Sequence, residues 1–159
     1  MSVINVGIIG ASGYTGLELV KMLLKHPKFN LNYVANTDGG TTLEKLHPSL
    51  AKVSDLEVQK ADFDECAASC ELVFLAVPHQ TAMAYVKPLI EKGLKVVDLS
   101  ADYRLPQDIY ETFYCPHTDT QNLEHAIYGL PELFREELKS AKLVANPGCF
   151  PTSAILGVL

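Results

Sequence analysis

The sequence predicts an α/β protein built around one doubly wound, mostly parallel β-sheet. Short β-branched runs alternate with segments of helical periodicity, which is typical of β-α-β units. The run from Leu72 to Val77 is apolar throughout, as expected of a strand that helices cover on both faces. A glycine-rich turn follows the first run directly, so we expect ligands to bind beyond the carboxyl ends of the strands.

Each element is predicted from its own pattern. β-branched or apolar runs predict strands at residues 3–9, 31–35, 72–77, 95–99 and 143–145. Apolar residues at helical spacing predict helices at residues 14–25, about 82–90 and 153–159. Residues 38–60 are expected to be mostly loop with a short helix and an edge strand. Residues 128–132 are expected to form a turn packed against the sheet.

Composition narrows the class of protein. With 159 residues, 48% of them hydrophobic and 20% charged, the chain is long enough for one ordinary core. A net charge of -6 disfavours nucleic acid and anionic membranes as partners, so small molecules are expected. The sequence shows no signal peptide and no apolar run near the roughly 20 residues that span a bilayer, which makes the cytoplasm the expected location. The four cysteines are expected to be reduced thiols, and no metal site is expected.

The segment GASGYTG, from Gly10 to Gly16, lies between the first strand and the first helix. Glycine lets the backbone approach a pyrophosphate closely, and the N–H groups and dipole of the following helix favour the anion. The segment therefore predicts a dinucleotide-binding Rossmann domain. NAD-binding domains carry an acidic residue at the end of the second strand, where it hydrogen-bonds to the ribose. Asn36 and Thr37 occupy that position here, which favours NADP(H), although no arginine is in place for its 2′-phosphate. We assign to the cofactor Gly10, Ser12, Gly13, Tyr14, Thr15, Gly16, Thr37 and Pro78.

A second candidate site is Cys149, which lies in NPGCFPT between the last strand and an apolar run that looks helical. The dipole and free N–H groups of a helix start stabilise a thiolate, which gives a nucleophile near neutral pH. Pro151 suits the first turn, where its missing N–H costs nothing. We therefore predict that Cys149 is the nucleophile and that the other three cysteines are small apolar side chains.

Two further residues each allow two interpretations. Arg104 could donate to a substrate carboxylate or phosphate, or it could pair with Asp98 or Asp102. His79 could line the cofactor pocket, or it could be a hydrogen-bonded loop residue. The residue types and spacing leave both choices open.

Five segments together resemble the N-acetyl-gamma-glutamyl-phosphate reductase family, and they cover essentially the whole chain. They are GASGYTG from Gly10, LAVPH ending at His79, DLSADYRL from Asp98, YGLPEL from Tyr128 and NPGCFPT from Asn146. Two positions depart from the family pattern: Phe150 stands where tyrosine is common, and Cys115 where glycine is expected.

The resemblance implies an NADPH-dependent enzyme of arginine biosynthesis that forms N-acetyl-glutamate semialdehyde through a thioester on Cys149, with Arg104 beside the substrate. It also implies a homo-oligomer with a further α+β domain, which carries the catalytic histidine. Residues 1–148 would then be the dinucleotide-binding domain, and residues 149–159 the start of a helix leading toward the second domain. The 159-residue chain alone is therefore expected to be inactive.

Two other interpretations stay open. A reductase like aspartate-semialdehyde dehydrogenase would share the fold and the thioester chemistry. A cofactor-binding module without catalysis would share the glycine turn. A short-chain reductase is disfavoured, because none of the seven tyrosines is followed by lysine four residues later.

Overall fold

An eight-stranded sheet forms the centre of the molecule. The computed structural model describes residues 3–159. The strands, in chain order, are β1 (Ile4–Ile9), β2 (Phe29–Asn36), β3 (Thr41–Thr42), β4 (Glu57–Lys60), β5 (Leu72–Leu75), β6 (Lys95–Asp98), β7 (Ile127–Tyr128) and β8 (Leu143–Ala145). The helices are α1 (Tyr14–Leu23), α2 (Leu43–Leu46), α3 (Phe63–Ser69), α4 (Met83–Glu91), α5 (Gln107–Phe113), α6 (Thr120–His125), α7 (Pro131–Ser140) and α8 (Cys149–Val158).

The strand order across the sheet is β3-β4-β2-β1-β5-β6-β8-β7. β3 pairs antiparallel with β4, and the other neighbouring strands pair in parallel. The chain builds outward from β1 first through β2 and then through β5, so the connections change direction at β1. The predicted doubly wound, mostly parallel sheet is therefore confirmed, and the carboxyl ends of β1, β5, β6 and β8 share one edge.

Apolar cores lie on both faces of this sheet. Because successive side chains of a strand point to opposite faces, Ile8 of β1 packs into one core and Ile9 into the other. α1 covers the first face through Val20, and α3 and α4 cover the second through Cys66 and Val86. No helix within residues 3–159 has the length and apolar character that crossing a membrane requires.

The sequence patterns locate the central elements and miss several peripheral ones. Every predicted strand occurs, with ends shifted by no more than two residues, and the segment 38–60 contains the expected short helix, α2, and edge strand, β3, together with β4. The patterns do not predict α3, α5, α6, α7 or β7. The turn expected at residues 128–132 is shorter than predicted, because Tyr128 ends β7, Pro131 begins α7, and Gly129 and Leu130 alone connect them against the sheet. Proline is favoured in a first helical turn, where no N–H is needed.

Candidate functional site

The glycine turn joins β1 to α1 at the carboxyl edge of the sheet. Gly10 has a φ of +96°, and a Cβ there would collide with the carbonyl group of Ala76. Gly16 is packed as closely, because its Cβ would lie 2.5 Å from the Gly10 carbonyl oxygen. At Gly13, by contrast, nothing lies within 4 Å of where a Cβ would be. Two glycines thus fix the path of the backbone, and the third leaves open space above it.

A cleft of about 400 Å³ opens beside this turn. Its lining includes five of the predicted cofactor residues: Gly10, Ser12, Gly13, Thr37 and Pro78. Tyr14 and Thr15 are exposed in the first turn of α1, outside the lining, and Gly16 contributes through packing. The structure therefore brings the end of β2 and the loop after β5 together around the glycine turn.

The N-terminus of α1 faces this space without a cap. Gly13 is the N-cap, no side chain accepts from the first turn, and that turn contains no acidic residue. Its N–H groups therefore lack an acceptor within the helix, and the helix dipole adds a positive potential. The pyrophosphate of a dinucleotide fits this place, because the glycine turn leaves open space beside these N–H donors.

Two buried polar side chains hold the turn from beneath. His47 Nε2 lies 2.6 Å from the Ala11 carbonyl oxygen, and since a carbonyl only accepts, Nε2 carries the proton and donates. Asn36, at the end of β2, donates from Nδ2 to Ser12 Oγ at 2.9 Å. Sequence reasoning missed both contacts. His47 belongs to no motif, and the position of Asn36 indicates only that the usual ribose-binding acid is replaced.

Cys149 is the first residue of α8, and its thiol is exposed. Gly148 is the N-cap, no side chain caps the helix, and the first turn contains no acidic residue. The N–H groups of this turn therefore lack an acceptor within the helix, as at the start of α1. The predicted position of Cys149 at a helix start is confirmed, with the helix beginning at Cys149 rather than at Ser153.

Arg104 connects two loops of the site through hydrogen bonds. Its Nε donates to the Asn146 carbonyl oxygen and its Nη2 donates to the Leu99 carbonyl oxygen, both at 2.7 Å. A Cβ on Gly148 would lie 3.1 Å from Nη1, so the guanidinium lies directly beside the residue that precedes Cys149. The ion pairs within residues 3–159 do not include Arg104, so pairing with Asp98 or Asp102 is not what the structure shows.

The buried carboxylate of Asp102 holds the loop that follows β5. Its Oδ1 accepts from the Gln80 N–H at 2.7 Å and from the Tyr110 hydroxyl at 2.9 Å, and its Oδ2 accepts from the Ala82 N–H at 3.0 Å. Gln80 has a φ of 67°, which a residue other than glycine adopts only where neighbouring contacts hold it. The loop after β6 thus positions the loop that carries Pro78 into the cleft.

His79 belongs to the same loop. Its Nδ1 accepts from the Ala101 N–H at 2.9 Å, and the side chain is exposed and does not line the cleft beside the glycine turn. The interpretation of His79 as a hydrogen-bonded loop histidine is therefore confirmed.

Asp98 is fully buried at the end of β6. It accepts from the Ser100 N–H at 3.0 Å and from the Ser100 hydroxyl at 2.7 Å. Burial raises the pKa of Asp98 to about 6, although the hydrogen bonds from Ser100 oppose the rise. The charge of Asp102 adds to the rise and that of Arg104 opposes it. This carboxyl therefore titrates closer to neutrality than an exposed aspartate.

The other three cysteines lie in different surroundings. Cys66 and Cys70 are buried and hydrogen-bonded to each other. This contact and burial raise the pKa of Cys66, while the same contact lowers the pKa of Cys70. Cys115 Sγ lies 3.8 Å from the Tyr110 hydroxyl oxygen. Of the four thiols, Cys149 alone is exposed.

A comparison with protein-family models identifies the domain. Residues 5–141 match the family described as semialdehyde dehydrogenase, NAD binding domain. The chain belongs to this family. The domain is thus a nicotinamide-dinucleotide-binding domain of the semialdehyde dehydrogenases, which agrees with the glycine turn and the strand order.

Curated relatives of this semialdehyde dehydrogenase domain confirm the resemblance seen in its motifs. A protein of Sulfurimonas denitrificans named N-acetyl-gamma-glutamyl-phosphate reductase is 77% identical over all of this chain and 48% of its own length. A protein of the same name from a Sulfurovum strain is 61% identical over 98% of this chain and 47% of its own length. The chain spans about half the length of the curated relatives it matches.

Solved structures agree on the architecture of this semialdehyde dehydrogenase domain. The structure of aspartate semialdehyde dehydrogenase with NADP from Candida albicans is 26% identical, with a TM-score of 0.59 over 67% of this chain and 32% of that one. Aspartate semialdehyde dehydrogenase II from Vibrio cholerae gives a TM-score of 0.61 over 93% of this chain and 39% of its own, at 16% identity. The second similarity shows the fold alone.

Proposed function

We propose that this chain supplies the cofactor-binding turn and the nucleophile of an NADPH-dependent N-acetyl-gamma-glutamyl-phosphate reductase. The observation that carries the proposal is the exposed Cys149 thiol at an uncapped helix start, on the same sheet edge as the glycine turn. The 77% identical relative supports the substrate. The family match ends at residue 141, so the role of Cys149 rests on its geometry and on the relatives.

The proposed chemistry begins with the Cys149 thiolate. It attacks the acyl carbon of the acyl phosphate, so that a C–S bond forms, the C–O bond to phosphate breaks, and phosphate leaves with the electron pair. Gly10, Ser12 and Gly13 of the cleft would hold a nicotinamide dinucleotide, which would supply the hydride needed to reduce the resulting thioester. Release of the semialdehyde then regenerates the thiolate. Arg104, whose Nη1 lies beside Gly148, is suited to hold an anionic group of the substrate near Cys149.

The preference for NADP(H) belongs to the same proposal. Strand β2 ends at Asn36, and no carboxylate stands there to bind the ribose hydroxyls of NAD or to repel the 2′-phosphate of NADP. Residues 1–148 form the proposed dinucleotide-binding domain, and residues 149–159 carry the nucleophile toward the second domain that the longer relatives imply. A homo-oligomeric state and a cytoplasmic location stay predictions.

A second candidate is an aspartate-semialdehyde-dehydrogenase activity. The similarity to the Candida albicans enzyme favours it, because that protein shares the fold and was solved with NADP. The same thiol chemistry would serve both substrates, which differ in chain length and in the acetyl group. Only the substrate can therefore separate the two activities.

The test uses this chain extended to the full length of its relatives. We expect NADPH oxidation with N-acetyl-gamma-glutamyl phosphate and little with aspartyl phosphate. Cys149→Ser should reduce the rate by orders of magnitude, whereas the matched control Cys115→Ser should not. The 159-residue chain alone is expected to show no detectable turnover. Faster turnover of aspartyl phosphate would favour the second candidate, and an active Cys149→Ser variant would contradict both.

A further inference from the structure

The side-chain amide of Asn36 has one orientation that its neighbours allow. Its Oδ1 accepts from the Asp38 N–H at 3.1 Å and from the Gly39 N–H at 2.6 Å. An amide nitrogen could not take this place, because it would face two donors with a donor of its own. The Nδ2 group must therefore point away from these N–H groups, toward Ser12.

This orientation decides what the Ser12 hydroxyl can do. Nδ2 of Asn36 donates to Ser12 Oγ at 2.9 Å, so Oγ is the acceptor in this contact. The hydroxyl proton of Ser12 cannot be shared with Nδ2 and is left to donate elsewhere. Ser12 is exposed and lines the cleft beside Gly13, where the uncapped turn of α1 begins. A donor in this place is suited to a phosphate oxygen.

We propose that Asn36 is a positioning residue that keeps the Ser12 hydroxyl available as a hydrogen-bond donor to the pyrophosphate of the dinucleotide. The identity of this ligand, a dinucleotide, rests on the proposed function. An aspartate at the same position would still accept the two loop N–H groups, but it would also accept the Ser12 hydroxyl proton and turn it away from the phosphate. The amide of Asn36 therefore affects cofactor binding through the Ser12 hydroxyl.

The test is a double-mutant cycle on the 159-residue chain, with Asn36→Asp, Ser12→Ala and the double variant. Calorimetric titration with NADPH and with NADH measures the dissociation constants, and thermal unfolding without ligand checks that each variant folds. Asn36→Asp should weaken the binding of both dinucleotides by about 10-fold or more, because the lost donor faces a charged group that both share. Ser12→Ala should weaken both by a similar factor.

The cycle separates the hydroxyl from the added charge. The Ser12→Ala variant has no hydroxyl that the introduced carboxylate could reorient. In this background Asn36→Asp should therefore weaken dinucleotide binding only through the repulsion of its charge, and by a clearly smaller factor than in the unsubstituted chain. Equal costs in the two backgrounds, or unchanged affinity in Asn36→Asp, would overturn the inference while leaving the proposed function intact. Absence of binding to the unsubstituted chain would overturn the proposed function, and with it the inference.

Discussion

The Cys149 thiol is accessible to reagents, whereas the Cys70 thiol combines a lowered pKa with burial. The Cys149 thiol is exposed at a helix start with no acidic neighbour in its turn. Cys70 has a lowered pKa because the thiol of Cys66 hydrogen-bonds to it, but it is buried. A thiolate that a reagent cannot reach does not react, so access decides the order of reactivity.

We therefore predict that Cys149 is alkylated first. Limiting iodoacetamide applied to the folded chain, followed by peptide mapping, should find most of the label on Cys149 and the least on Cys66, whose pKa is raised and whose side chain is buried. The same treatment in denaturant should label all four cysteines at similar rates. Preferential labelling of Cys66, Cys70 or Cys115 in the folded chain would refute the assignment.

Asp98 should make stability depend on pH. Burial raises its pKa from 3.8 to about 6, so the folded state binds the proton more tightly than the unfolded state. Its favourable contribution to the free energy of unfolding is therefore complete below about pH 4. This contribution is lost as pH rises through about 6, and the loss is about 3 kcal/mol at most. Urea unfolding at pH 4 to 7 should show Asp98→Asn gaining stability relative to the unsubstituted chain as pH rises. A difference that stays constant with pH would contradict the prediction.

Within the turn between β1 and α1, the glycines serve different purposes. Gly10 needs its positive φ and the absence of a Cβ, whereas Gly13 has an ordinary φ of -81° and open space around it. Gly10→Ala should lower the free energy of unfolding by about 1–3 kcal/mol, and Gly13→Ala should change it by about 0.5 kcal/mol or less. Urea unfolding measures both.

Gly13→Val extends this comparison to the cofactor. The larger side chain should occupy the open space and abolish NADPH binding in a calorimetric titration, while the chain still unfolds cooperatively on heating. Retained binding would mean that the pyrophosphate lies elsewhere.

The elements that the sequence patterns miss differ in how much signal their residues carry. α7 could have been found from its pattern, because Pro131 suits a first helical turn and the half-buried Phe134 and Leu138 lie four residues apart, whereas β7 is too short to show alternation. α3 could have been found from its start, because Asp62 accepts from the N–H groups of Asp64 and Glu65, which is a typical helix cap. The positions of the glycine turn and of Cys149 follow from local motifs. The contact of Asn36 with Ser12 joins residues 24 apart, and no local pattern predicts it.

At the scale of the whole molecule, α8 is an apolar helix that the rest of the described chain leaves uncovered. None of its residues is buried, residues 149–159 include no charged side chain, and Val158 is 89% exposed. An apolar surface of this kind is expected to associate with other apolar surfaces.

We predict that the 159-residue chain self-associates through α8 as its concentration rises. Sedimentation velocity should show that Val158→Lys shifts the population toward the monomer. Val53→Lys, at a residue that is 61% exposed elsewhere on the surface, is the matched control and should have little effect. Equal effects of the two substitutions, or a monomer at all concentrations, would contradict the prediction.

The two-residue strands β3 and β7 form the ends of the sheet. A long exposed edge strand offers a row of free N–H and C=O groups that can recruit a strand from another molecule and start amyloid-like growth. Two residues offer too few such groups to hold a foreign strand. The two end strands are therefore poorly suited to seed fibrils, and aggregates that form through α8 should be held by side-chain contacts and dissolve again on dilution.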